Sequence, residues 1–140
     1  MTKKFKILDS YIKDLSSETP DIETYIFVKE RIGKYQLDID INSRAVKNKM
    51  VEVDTKFKFE DKEESKKKSY FEIIYSTIIK VDDDVVDKKE LEKIILCDMQ
   101  IEIYPGLEKS LLNLLHNSGY PDVKFEKKVD FEGLYKKRFN

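Results

Sequence analysis

The first half of the chain alternates apolar and polar residues with a period of two, as half-buried β-strands do. This alternation predicts four strands, over Phe5–Glu18, Tyr35–Ile41, Met50–Glu60 and Ser69–Val81. The third strand is the clearest, because one of its faces is apolar and the other is charged. Its apolar face carries Val51, Val53, Phe57 and Phe59.

The fourth predicted strand is apolar on both faces. One face carries Tyr70, Ile74 and Ile78, and the other carries Phe71, Ile73, Tyr75 and Ile79. A strand of this kind lies in the centre of a sheet or is covered on each side.

The segment between the first two strands, Asp21–Gly33, is too apolar for a plain surface loop. It follows Pro20, which has no amide hydrogen to donate to a central strand and therefore ends the first strand. We expect a connection with apolar content rather than a plain surface loop.

The second half of the chain changes to helical spacing. Lys88–Leu115 predicts a long helix, with Pro105-Gly106 as a kink or break. Gly119 and Pro121 end it.

A short second helix is predicted over Phe131–Phe139, with Asp130 as its N-cap. Strands first and helices afterwards indicate an α+β fold: a four-stranded antiparallel sheet covered by helices on one face. The length is that of a single domain, over residues 1–140.

The long helix carries a wide apolar stripe. It consists of Leu107, Leu111, Leu114 and Leu115, widened by Tyr104 and Leu112. The stripe is broader than one neighbouring element covers, which favours a subunit interface as a second partner. The alternative is that the stripe packs only in the subunit's own core.

Composition narrows the class of protein. The chain has 27 basic and 28 acidic residues, so it lacks the basic excess of a nucleic-acid-binding protein. One cysteine, Cys97, rules out an intramolecular disulfide and fits a reducing compartment. Met1–Lys6 is charged and leads straight into strand-like sequence, and no apolar run reaches membrane-helix length. We expect a soluble cytoplasmic protein.

Few residues suggest catalysis. His116 is the single histidine, so a metal site is not expected, and a place near the end of a helix dipole explains it as well. Cys97 reads as a packed thiol. Asp82–Asp84 reads as a helix cap rather than a cation site, and Lys66–Lys68 as a solvated hairpin tip rather than an anion site. We expect neither an enzyme nor a cofactor.

Three motifs along the chain resemble those of one known protein family. Tyr11–Pro20 (YIKDLSSETP) resembles the family's opening strand, Tyr-x-Lys-Asp-[Ile/Leu]-Ser-x-Glu-x-Pro. Tyr104-Pro105, an apolar helix and Ser118–Pro121 (SGYP) resemble its Phe-Pro, long helix, Gly-x-Phe-Pro arrangement. Val129–Tyr135 (VDFEGLY) is similar to its Val-Asn-Phe-Asp-x-Leu-[Phe/Tyr] ending. The order holds across nearly the whole chain, which therefore resembles the SecB family of export chaperones.

The resemblance implies an ATP-independent holding chaperone that assembles as a dimer of dimers, a homotetramer. In the family the long helices lie between dimers, which would place Leu107, Leu111 and Leu114 at an oligomer interface. It also implies a client groove beside the connection after the first strand, formed by Ile26 and Phe27. Weaker candidates for its lining are Tyr25, Tyr104 and Leu107. The alternative is that Ile26 and Phe27 are ordinary core residues.

A second implied surface is acidic. Asp14, Ser16 and Glu18 are two residues apart and share one strand face. Glu72 matches a family acid that joins them on the outer sheet, where the family docks the SecA translocation ATPase. In so charged a chain, a chance acidic face is the alternative.

The chain also departs from the family pattern. Tyr75–Ile78 replaces a Gln-Gly-Gly-Ile segment, and the sequence ends at Asn140 without the acidic or zinc-binding tail that adds affinity for the ATPase. Three functions therefore stay open: an export chaperone for unfolded preproteins, a SecB-like chaperone dedicated to one client such as an antitoxin, and a non-chaperone interaction protein that reuses the fold.

Overall fold

The structure is a computed structural model that describes residues 3–63 and 67–139, so the Lys66–Lys68 run lies partly outside the described residues. It contains an antiparallel sheet of β1 (Phe5–Glu18), β2 (Gln36–Ala45), β3 (Met50–Glu60) and β4 (Tyr70–Val81). The strand order is β1-β4-β3-β2. This confirms the α+β fold and places the doubly apolar strand, β4, inside the sheet.

The predicted connection after β1 is a helix, α1 (Ile22–Arg31), followed by a 3₁₀ turn (Ile32–Lys34). Asp21 caps it, because its carboxylate accepts a hydrogen bond from the backbone N–H of Thr24 at 2.8 Å. Only Thr24 and Val28 of this helix are buried. Its apolar residues point in several directions, which hides the helical period in the sequence.

The long helix consists of α2 (Lys88–Lys93), a π-helical turn (Ile94–Asp98) and α3 (Met99–Asn117). Its N-cap is Asp87, and not the earlier acidic run. The helix continues through Pro105, so of the expected kink or break the break does not occur. Pro105 has no N–H, so the carbonyl of Ile101 loses its helical hydrogen bond. Both residues lie on the exposed side of the helix, where water can donate to that carbonyl instead.

The wide leucine stripe belongs mainly to the subunit's own core. Leu107 and Leu111 are completely buried, so neither presents a surface to another subunit, and their predicted interface role is wrong. Leu114 is half-buried and packs against the same cluster. The width of the stripe predicted a second packing partner besides the sheet. That partner is the chain's own C-terminal segment, which includes α4 (Phe131–Phe139).

The helices cover one face of the sheet. Phe57, Phe71 and Ile73 point to that face and are buried, whereas Tyr70 on the other face is exposed. None of the helices in the described residues is long and apolar enough to cross a membrane.

Candidate functional site: an apolar cleft beside α1

A cleft of about 540 Å³ lies between the end of α1, the ends of two strands and the segment that follows α3. Its apolar lining consists of Ile32, Tyr35, Phe59, Tyr120, Val123 and Phe125. Its charged lining is balanced, with Lys29 and Lys124 against Asp122 and Glu126. The cleft therefore suits an apolar side chain without selecting the sign of a charge.

The wall formed by residues 119–126 is irregular backbone held by specific contacts. Tyr25 donates its phenol hydrogen to the carbonyl of Gly119 at 2.9 Å. The ring nitrogen Nε2 of His116 lies 2.8 Å from the carbonyl oxygen of Val123, which accepts its hydrogen. The rings of Phe59 and Phe125 meet edge-on at 5.5 Å. These contacts give His116 a structural role and fix the shape of the wall.

An exposed apolar stripe of α1 leads into the cleft. Ile22, Ile26, Lys29 and Gly33 are spaced four, three and four residues apart, which places them on one side of the helix and its following turn. Ile26 is 58% exposed. Because Lys29 and Gly33 line the cleft, the two isoleucines form its continuation along the surface.

The predicted groove residues lie in three places: beside the cleft (Ile26 and Tyr25), on the other flank of α1 (Phe27) and in the core (Tyr104 and Leu107). Ile26 lies on the stripe, and the half-buried Tyr25 packs against Tyr120 with ring centroids 5.4 Å apart. Phe27 is exposed on the other flank of α1, where the guanidinium of Arg31 lies 5.9 Å from its ring centroid.

Tyr104 and Leu107 do not line the cleft. Leu107 is completely buried, and Tyr104 is buried between the rings of Phe57 and Phe131. Burial, together with a hydrogen bond to Glu108, raises the pKa of Tyr104 to about 12. Both residues support the cleft only through the core beneath it.

Most of the cleft's aromatic lining was missed from the sequence. Tyr35 and Phe59 were assigned only to strand faces, and Phe125 was assigned no role. The signal that could have found the site is the SGYP motif, because Tyr120 within it lines the cleft.

The predicted acidic residues share the sheet face that points away from the helices. Two register shifts in β1 leave Asp14 opposite Ile74, Ser16 opposite Glu72 and Glu18 opposite Tyr70. Glu18 and Glu72 also line a shallow hollow of about 280 Å³. Part of this charge is balanced, since the Lys56 ammonium lies 3.5 Å from the Glu72 carboxylate.

An ion pair fixes the C-terminal end of α1 to the end of β3. Arg31 donates two hydrogen bonds to the buried carboxylate of Asp61, at 2.9 and 3.1 Å. The Arg31 guanidinium holds the pKa of the Asp61 carboxyl below its usual value, and this outweighs the opposing effect of burial.

Asp61→Asn tests the contribution of this pair to stability. An acid whose pKa is lowered by folding stabilises the fold above its unfolded pKa of about 3.9, and this contribution is lost as the pH falls through the lower folded value. We expect the variant to melt a few degrees below the wild type at pH 7. The difference should shrink as the pH falls below about 4. Thermal unfolding from pH 7 to pH 3 measures it, with exposed Asp83→Asn as the control. A difference that does not change with pH would contradict the assignment.

The fold and the cleft together describe an antiparallel sheet backed by a long helix, with an apolar site at one end. The family model described as preprotein translocase subunit SecB matches residues 1–140. The chain belongs to the SecB family, and it is a SecB-type chaperone.

Individual relatives agree with this family. The chain is 60% identical to the "Putative protein-export protein SecB" of Pelagibacter ubique (strain HTCC1062), over the full length of both. It is 24% identical to the protein-export protein SecB of Xanthobacter autotrophicus (strain ATCC BAA-1158 / Py2), with 94% of this chain and 83% of that protein covered. A solved Mycobacterium tuberculosis SecB-like chaperone, in complex with a peptide from the HigA1 antitoxin, shares the fold. Its TM-score is 0.66 at 14% identity, and the match covers 89% of this chain and 91% of that one.

Proposed function

We propose that the chain is an ATP-independent holding chaperone that binds unfolded polypeptide, above all preproteins, in the cytoplasm. The observation that carries the proposal is the apolar cleft with its exposed continuation over Ile22 and Ile26. Each Å² of apolar surface removed from water contributes roughly 25 cal/mol, whatever the client's sequence. An exposed apolar surface joined to a cleft is typical of an interaction site.

Delivery to the SecA translocation ATPase is the second part of the proposal. Asp14, Glu18 and Glu72 present carboxylates on the open face of the sheet, away from the cleft. A partner with a basic surface can dock there while a client occupies the other side. Charge complementarity of this kind raises the association rate and selects the partner.

Self-assembly is the third part, and β1 is the surface that favours it. This strand lies at one end of the strand order, and its far edge is unpaired in the described part of the chain. It also exposes Leu8, Tyr11, Ile12 and Leu15. An edge of this length is a template for pairing with another strand. A homo-oligomer, of which a tetramer is one form, would cover it and place several clefts on one particle.

A chaperone with one dedicated client, such as an antitoxin, is the alternative. The M. tuberculosis protein of the same fold is solved with an antitoxin peptide, which favours this candidate. A dedicated chaperone would protect one protein and not others. A non-chaperone interaction protein would suppress no aggregation.

Aggregation of a chemically unfolded protein, diluted without ATP into an equimolar amount of this chain, tests the proposal. Light scattering should fall with the wild type. Ile26→Asp should lose most of this suppression, because a carboxylate on the stripe would have to give up its water on contact with an apolar client. Val86→Asp is the control, since Val86 is 85% exposed and lies outside the cleft.

If Ile26→Asp and Val86→Asp both still suppress aggregation, the client does not bind at the cleft and its stripe. If the wild type does not suppress aggregation, the chain has no holding activity. Phe27→Asp, on the opposite flank of α1, shows whether a client also reaches that side.

A further inference from the structure

A tyrosine contact lies beside the point where the exposed stripe of α1 enters the cleft. Tyr25 donates to the carbonyl of Gly119 at 2.9 Å, and its ring packs on Tyr120. Gly119 and Tyr120 are part of the opposite wall of the cleft. Tyr25 lies one helical turn before Lys29, so the contact is on the side of the cleft from which α1 runs back toward Ile22 and Ile26.

The backbone at Gly119 is shaped for this contact. Its φ is +105°, a conformation that side-chain-bearing residues rarely adopt. A Cβ added there would lie 2.6 Å from Cε1 of Tyr25, closer than packed carbon atoms approach. The tyrosine ring therefore rests directly on the main chain, which only glycine permits at this position.

The contact adds one attachment between α1 and the segment that follows α3. Within α1, Thr24 and Val28 are the buried residues, and residues 119–126 form irregular backbone. The hydrogen bond joins two uncharged groups, and bonds of that kind add only modestly to stability. Opening needs the loss of one such bond and of one ring contact, so an open state lies within reach of thermal motion.

We propose that Tyr25 is a latch that sets the length of polypeptide the cleft accepts; this rests on the proposed function. When the latch is closed, the cleft takes a short apolar segment. When it opens, the cleft and the stripe over Ile22 and Ile26 form one groove. The helix from Ile22 to Lys29, where the cleft begins, is about 10 Å long, at 1.5 Å per residue. An open groove therefore holds about three more extended client residues, at about 3.3 Å each.

Tyr25→Phe tests the latch, because it removes the phenol oxygen and keeps the ring. Two labelled peptides from one unfolded protein are compared by fluorescence anisotropy: a short one of about six residues and a long one of about fourteen, which extend to ~20 and ~45 Å. The variant populates the open state more, so the long peptide should bind roughly threefold to tenfold more tightly. The short peptide should bind as it does to the wild type.

Tyr11→Phe is the matched control. Tyr11 is exposed on the sheet face away from the helices, and the loss of its hydroxyl should change neither affinity. Hydrogen exchange on the wild type gives a second measurement that needs no variant. The long peptide should protect amides of residues 22–28 and raise exchange at Gly119 and Tyr120, and the short peptide should do neither.

Equal changes for both peptides in Tyr25→Phe would show that Tyr25 contacts the client directly or supports the fold, and would overturn the latch. Unchanged affinities for both peptides would overturn it too, as would identical exchange patterns with the two peptides. A wild type that binds neither peptide would overturn the proposed function itself, and the latch with it. The two failures are therefore distinguishable.

Discussion

Leu111→Ala is expected to destabilise the subunit by about 3–4 kcal/mol, the cost of truncating a fully buried leucine and leaving a cavity. Leu111 is completely buried in the cluster that joins the long helix to the sheet and to the C-terminal segment. Its loss should lower the urea midpoint without a change in the slope of the transition. The same shift should appear at low and high protein concentration.

Leu114→Ala is the matched control on the same helix. Leu114 is half-buried, so its truncation removes less apolar contact and should cost about 1 kcal/mol. Sedimentation of both variants separates a core role from an interface role. If Leu111→Ala stayed folded but dissociated from an oligomer, the residue would lie at a subunit interface, and the packing described here would be wrong.

The leucine stripe shows what helical spacing can and cannot predict. The spacing placed Leu107, Leu111 and Leu115 on one side of a helix, and all three are buried. It could not say which surface covers them, because that depends on the path of the chain after Gly119. Tyr120 and Phe131 return to the helix from that segment and take the place assigned to a second subunit.

Strands were predicted more closely than the helix after β1. The alternation gave the bounds of β1 and β3 as the structure has them. In α1, by contrast, Ile26, Phe27 and Val28 are consecutive and point to two exposed flanks and the core, so no single apolar face marks the helix. The one local signal for it is the capping Asp21.

The cleft could be placed beside α1 only through the family resemblance, and its lining could not be read at all. Tyr35, Phe59 and Phe125 come from three separate segments, and only tertiary packing brings them together. The buried Gln100 is another feature without a sequence signal. It accepts a hydrogen bond from Thr55 and donates to the carbonyl of Ile95 within the π-helical turn.

Reversal of Asp14, Glu18 and Glu72 to Lys should reduce binding of the SecA ATPase by about 100-fold at low salt. Each reversal replaces an attraction to a basic partner with a repulsion, at about 1 kcal/mol or more for charges a few Å apart near a surface. The effect should weaken as ionic strength rises, because exposed charges are screened over about 10 Å at 0.1 M salt. Titration at two salt concentrations measures both the loss and its electrostatic origin. Client holding should be retained, since the cleft lies on the other side of the sheet.

Two controls separate the acidic face from net charge and from stability. Asp82, Asp83 and Glu90 reversed to Lys change the net charge equally at another site and should leave binding intact. Lys56→Glu combined with Glu72→Lys exchanges the partners of the 3.5 Å ion pair and keeps both the net charge and the pair.

If the exchanged pair weakens binding while the distant reversals do not, the position of the Glu72 carboxylate is what the partner recognises. If all three variants bind like the wild type, the acids on this face are ordinary solvated charges. The chain would then hold its clients without passing them to the ATPase through this surface.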